Sequence, residues 1–297
     1  MECKKNLLLL NCFNFLKNLQ FFGALAVPFF LHRAGLDYKG MFLLEAVFSF
    51  FLLVFEIPTG IVADRFGRKT SLFTGSLFFG AGFLLLGTIT AFPLLLAGEI
   101  ICAFGFSMIS GADRALLYEV LKDGGREAEA QTAMSRYDAW GTAGMLLSFP
   151  AGTLFAASGL VPYTAALGLV LIATGISIIL AGLVVLSVHE KTRLPPDGSA
   201  IRAGIEGFRF IFRKPALTRF SLNYAIISAL TFLMYWFYQS LLMRNGFPLS
   251  LQGFIAAGFN AGAMILLLCT PIIRKRLSTA NILFLTSLIP GILYVTV

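Results

Sequence analysis

Polar residues that could do chemistry stand in this sequence inside or beside long apolar runs. Asn11, Asn14 and Asn18 recur at helical spacing, and Asn14, Lys17 and Asn18 form a local polar patch. Lys17 lies about ten residues into its run, or ~15 Å deep at a helical rise of ~1.5 Å per residue. Glu99 sits roughly 9 Å below the outer edge of another run, within vertical reach of Lys17. An ionisable group inside a membrane costs about 2.5–3.5 kcal/mol on insertion scales, so a Lys17–Glu99 pair is expected to offset the cost of both. Desolvation favours the neutral form of a carboxylate, which suits Glu99 to exchanging protons. Tyr224, Tyr235, Trp236, Tyr238 and Gln239 cluster on a later run. Such aromatics can stack on an organic substrate or anchor a helix at the membrane interface. Glu45, Glu56, Asp113 and Arg114 also fall within runs and are read as mainly structural, or as part of the charge cluster around residues 60–72. Asp113 and Arg114 would point about 100° apart on a helix, so each needs its own partner.

The elements that must position these residues follow from composition. The 297 residues are 58% hydrophobic and only 13% charged, with a mean hydropathy of +0.84. A water-soluble domain carries about 25% charged residues and must keep much of its surface polar. The chain is therefore read as an all-α polytopic membrane protein. Continuous runs near the ~20 residues that cross a bilayer recur at roughly 7–31, 41–63, 70–92, 93–120, 133–157, 160–187, 220–243, 250–272 and 280–297. These are expected to be about nine transmembrane helices. The N-terminus lacks a small-residue cleavage site and is read as part of a retained first span.

The formal charge of +8 is explained by orientation rather than by nucleic acid. With the N-terminus cytoplasmic, eighteen Lys and Arg fall in or beside cytoplasmic segments and three in outer loops. Cys3, Cys12, Cys102 and Cys269 show neither metal-ligand spacing nor a disulfide framework. With 31 Phe against 2 His, no metal site is expected. Residues 189–219 form a linker with a Pro-Pro-Asp-Gly turn, then Ile205, Phe208 and Phe212 beside Arg202, Arg209 and Arg213. This pattern suits an interfacial helix on an anionic leaflet, with contact to a protein partner as the alternative. The chain thus divides into a six-helix bundle over 1–188, the linker, and a three-helix partial bundle over 220–297. A weak repeat supports the division. Leu31-His-Arg-Ala-Gly-Leu36 resembles Leu242-Met-Arg-Asn-Gly-Phe247, and Gly40 and Pro58 meet Gly253 and Pro271 at an offset of 213. Parallel repeats of this kind occur in secondary transporters.

Between the second and third runs stands GIVADRFGRKTSL, residues 60–72. Gly60, Asp64, Arg65, Gly67, Arg68, Lys69 and Leu72 resemble the signature loop of the major facilitator superfamily, Gly-x-x-x-Asp-Arg-x-Gly-Arg-Lys/Arg-x-x-Leu. Glu56-Ile-Pro-Thr-Gly60 and Ser110-Gly-Ala-Asp-Arg-Ala-Leu-Leu-Tyr-Glu119 resemble a prokaryotic branch of it. On physical grounds Gly60 allows close helix approach and Gly67 a tight turn, while Asp64 can pair with Arg68 or sit at a helix N-terminus. Glu119, Arg136 and Asp138 would extend the cluster. The resemblance implies that such a cluster latches two halves while a transporter faces outward. A plain positive-inside anchor is the alternative.

The resemblance further implies that spans one, four and seven line a central cavity, which the Asn14–Lys17–Asn18 patch would face. A polar contact between helices of the first half is the other reading. Leu96-Ala-Gly-Glu99 with Ala103 and Gly105 is similar to the superfamily's span-four motif, with Glu99 where an Arg usually stands. Gly141, Gly144, Pro150 and Gly152 partly match an exporter motif, but Phe149 replaces the Gly of its Gly-Pro step. Two halves of six spans make twelve, so the resemblance also implies a truncated version of a longer protein.

These readings converge on a secondary active transporter of a small organic solute in the cytoplasmic membrane. It would be proton coupled, of efflux type on the partial motif, and surrounded by lipid. No phosphate-binding loop, catalytic set or cofactor motif is seen, so neither an enzyme nor a cofactor is expected. A transporter-like sensor or partner, or an inactive fragment, is the competing expectation.

Overall fold

In a computed structural model of the chain, residues 2–191, 209–210, 212–276 and 281 are described. The apolar runs fold as helices because hydrocarbon offers backbone N–H and C=O groups no partners outside the segment. In chain order they are α1 (Glu2–Lys17), α2 (Ala26–Pro28) continued by a π-helical turn (Phe29–Arg33), α3 (Tyr38–Phe66) and α4 (Arg68–Thr88). Then follow α5 (Phe92–Ile109), α6 (Ala112–Asp123), α7 (Ala130–Ala157), α8 (Tyr163–Val185), α9 (Pro215–Arg244) and α10 (Leu249–Arg276). No strand occurs among the described residues. Among the described residues, five stretches are long and apolar enough to cross a membrane: Tyr38–Phe66, Arg68–Thr88, Phe92–Asp123, Tyr163–Val185 and Leu217–Arg244. The expected span over 280–297, apart from residue 281, lies outside the described residues, as do the linker positions Arg202, Ile205 and Phe208 and the side chain of Cys269.

Two expected spans are interrupted. The first is not one helix over 7–31: α1 ends at Lys17, and residues 18–25 run as turns closed by Gly23 N–H to Gln20 O and Leu25 N–H to Phe22 O. The cause is a groove of glycines on α7. A Cβ at Gly144 would stand 2.6 Å from Phe15 O, and one at Gly152 would collide with Phe21 O, so only these positions admit the irregular backbone. The fourth is split at Gly111, whose φ of +76° is costly for any residue with a Cβ. The split re-aims α6 and, with it, Asp113.

Helices α1 to α8 share one core that includes Leu10, Phe13, Leu72, Leu95, Leu116 and Ile178. α4 is the central member, packing on α5 and α8 through facing small residues such as Gly80 and Gly175. Helix α10 lies along α7, and α9 touches α2. The contacts made by α9 and α10 gather at the end remote from residues 60–72: Phe42 stacks on Phe237, and the Thr153 hydroxyl donates to Ser250 O at 3.4 Å. The other end of α9, with Phe220, Leu222 and Tyr224, is exposed.

Candidate functional site

The interruption in the first span creates backbone groups with no helical partner, and α9 answers them. Tyr235 donates its hydroxyl to Gly23 O at 2.6 Å, and the Gln239 amide donates to the same carbonyl at 3.1 Å. Gln239 Oε1 accepts from Val27 N–H at 3.1 Å. Irregular backbone at membrane depth is tolerated where protein buries it in this way. Gln239 is 0% exposed, and its amide is a strut between α9 and the first span.

Beside this strut lies a cavity of about 280 Å³ between α9 and α10, with Phe149 of α7 at its base. Its walls are nearly all apolar, formed by Met234, Tyr235, Tyr238, Ala256 and Phe259, with Thr231 and Asn260 as the polar exceptions. Thr231 and Asn260 direct their donors to their own helices, at Ile227 O and Ala256 O. Tyr238 is 8% exposed, and its hydroxyl is buried without a bonded partner. Its polar neighbour is the Gln239 amide, already committed to Gly23 and Val27. A buried hydroxyl without a partner costs free energy that a ligand's polar atom would recover.

The expected Lys17–Glu99 pair does not form. Lys17 Nζ lies 2.9 Å from Asp113 Oδ2, which also accepts the Tyr137 hydroxyl at 2.8 Å. Asp113 lies fourteen residues beyond Glu99 on the same expected span, roughly 20 Å at ~1.5 Å per residue, so Lys17 sits at a different height from Glu99. Asn14 donates to Tyr137 O at 2.7 Å, and Asn18 donates to Asn14 Oδ1 at 2.9 Å. The patch faces α6 and α7 of the same bundle, which is the helix-contact reading rather than the cavity reading. Glu99 is 6% exposed on α5 and has no ion-pair or hydrogen-bond partner among the described residues. It lies within electrostatic range of Glu45 on α3 and of the Cys102 thiol.

The charge cluster at the opposite end is narrower than expected. Arg68 joins Asp64 at 3.6 Å to Glu119 at 2.9 Å. Gly67 turns the chain with φ +92°. Asp138 stands apart, paired with Arg114 at 2.8 Å, and Arg136 points into a different pocket. Gly60 has open space where a Cβ would lie, so no close helix approach explains it among the described residues. Arg65 is exposed, and Lys69 contributes its backbone N–H. That N–H, at 3.0 Å, and that of Arg68, at 2.8 Å, both donate to the carboxylate of Glu190. Glu190 thus caps the N-terminus of α4 from the start of the linker, and Asn6 fixes the neighbouring His189 backbone through two hydrogen bonds.

The sequence profile of the Major Facilitator Superfamily matches residues 7–297. The chain belongs to the major facilitator superfamily. No curated protein matches the sequence. Among solved structures, a point mutant of the nucleoside transporter NupG is similar, with a TM-score of 0.74 at 16% identity, over 93% of this chain and 70% of that one. Unmutated NupG gives 0.71 at 14% identity, over 91% and 68%. A bacterial homologue of the human lysosomal transporter Spinster, solved inward-facing and unoccupied, gives 0.67 at 20%, over 91% and 64%. At such identities the likeness is one of fold; the family match together with the apolar helices makes the chain a multi-pass membrane protein.

Within that superfamily fold, residue types alone did not single out Glu190 or Tyr137, and they did not pair Asp113 with Lys17. Glu190 carried a faint signal, an acid beside the basic linker near a helix start. Nothing in the sequence says which helix it would cap.

Proposed function

We propose that the chain is a secondary active transporter that moves a small organic solute across the cytoplasmic membrane by alternating access. The observation that carries this reading is the cavity beside Tyr238, flanked by the interrupted first span. Discontinuous helices near the midplane are a recurring setting for transporter binding sites. A volume of about 280 Å³ suits a small ligand. The nearly apolar walls favour a solute with an aromatic or aliphatic body and one polar atom for the Tyr238 hydroxyl. Glu99, near Glu45 and without a cation, is the proposed proton-coupling group. Lys17, Asn14 and Asn18 hold the first span to α6 and α7 while the solute moves elsewhere.

Contact between α9, α10 and the first bundle at the end remote from Asp64 supports an inward-facing arrangement, with the N-terminus cytoplasmic. Asp64, Arg68 and Glu119 are then the open half of a latch, and Asp64→Asn should hold the population inward-facing. Efflux is the direction favoured by the partial motif on α7. Transport into proteoliposomes under an imposed pH gradient tests the proposal. Solute movement that follows the gradient and loses its pH dependence in Glu99→Gln supports it. Undiminished pH dependence in that variant defeats the coupling role. A folded protein that moves no solute of this class defeats the transport reading.

A further inference from the structure

A second, smaller cavity lies at the signature-loop end, where α1, α6 and the start of α7 meet. It measures about 50 Å³. At the ~10–15 Å³ that one water needs by this measure, it holds a few waters or one tetrahedral oxyanion. Its floor is leucine side chains of α1 and α6, and its rim is polar: Asn11, Arg126, Glu129, Thr132 and Arg136. Asn11 is 8% exposed, and its amide has no hydrogen-bond partner among the described residues. Its amide lines the cavity and is able to donate there.

The charges decide which ligand. Arg126 grips Glu129 with two hydrogen bonds, at 2.7 and 2.6 Å, which keep that carboxyl below its usual pKa range and neutralise the pair. Arg136 has no ion-pair partner among the described residues, and Lys4 acts on the same carboxylate from α1. The rim therefore keeps an excess of positive charge after its one acid is satisfied. Its unspent groups are all able to donate: the Arg136 fork, the Thr132 hydroxyl and the Asn11 amide. Planar guanidinium forks match phosphate oxygens in two-point contact, which an ammonium cannot do.

We infer that this cavity binds a phosphate-type oxyanion, with Arg136, Thr132 and Asn11 as its donors. Two sources share that chemistry, the headgroup of an anionic phospholipid and free inorganic phosphate. The site is separate from the Tyr238 cavity and does not rest on the transport reading.

The test uses the full chain, delipidated in zwitterionic detergent, with inorganic phosphate as one probe. Nanodiscs of phosphatidylcholine with or without phosphatidylglycerol are the other, read by native mass spectrometry of retained lipid. Binding of either probe that weakens roughly tenfold in Arg136→Gln, and less in Arg136→Lys, supports the inference. Retention of phosphatidylglycerol without phosphate binding assigns a lipid headgroup, and the reverse assigns the free ion. Arg136 and Thr132 are exposed, so Arg136→Gln and Thr132→Val are expected to fold, and thermal unfolding in phosphatidylcholine checks this. Failure of the wild type to hold either probe overturns the inference. So does equal binding by the wild type, Arg136→Gln and Thr132→Val.

Discussion

Lys17 and Asp113 form an ion pair of 2.9 Å in which the two side chains are 15% and 10% exposed. They come from α1 and α6, and Tyr137 of α7 closes the triangle with its hydroxyl on the same Asp113 oxygen. The pair therefore ties three helices together at a depth where water is scarce. Removing one member strands the other charge, which costs more than the pair itself contributes. Lys17→Met is expected to lower stability by about 3 kcal/mol, and Asp113→Asn by a similar amount. The double variant should recover part of that loss. Thermal unfolding of the three variants in one detergent checks the ordering.

Tyr238→Phe separates binding from folding. Its hydroxyl has no bonded partner, so its loss should change stability by about 1 kcal/mol or less, with either sign. If the cavity holds the solute, the apparent KM should rise while the melting temperature stays put. A fall in melting temperature with unchanged KM would speak against the cavity.

Gln239→Ala should behave in the opposite way. It leaves Val27 N–H without its partner and Gly23 O with the Tyr235 hydroxyl alone, at a cost of about 1–3 kcal/mol for the unpaired buried amide. Faster labelling of a cysteine placed at Gln20, against the parent carrying the same cysteine, would report the loosened segment.

Glu190→Ala removes a carboxylate cap from the first turn of α4. The expected loss is about 1 kcal/mol, with weaker docking of the linker's first residues. Limited proteolysis within residues 189–191 should accelerate, and Glu190→Gln should fall between the two because it keeps an acceptor.

Apolar run length located the helices well: the run at 133–157 became Ala130–Ala157, and that at 160–187 became Tyr163–Val185. The positive φ of Gly67 was legible because a tight turn between two spans needs it. The interruption after Lys17 was not legible. Residues 18–22 contain no Gly or Pro to signal a break, and the glycines of α7 that pack against them lie some 130 residues away. Arg114 and Asp113 were expected to have separate partners, and they do, Asp138 and Lys17. The Lys17–Glu99 pairing was not legible because counting residues from the ends of two runs does not fix the relative height of their helices, and Lys17 meets Asp113 instead.

The irregular stretch after α1 has a mechanical meaning. Below it the chain is pinned to α6 and α7 by Lys17 and Asn14, and above it the chain is pinned to α9 by Gly23 and Val27. A shift of α9 would be felt first at Gly23 and Val27, within and just after a stretch that has no regular ladder of bonds to break. The first span is thus two helical pieces around a flexible joint, the upper one clasped by α4 and α8 through Arg33 as well as by α9 through Val27.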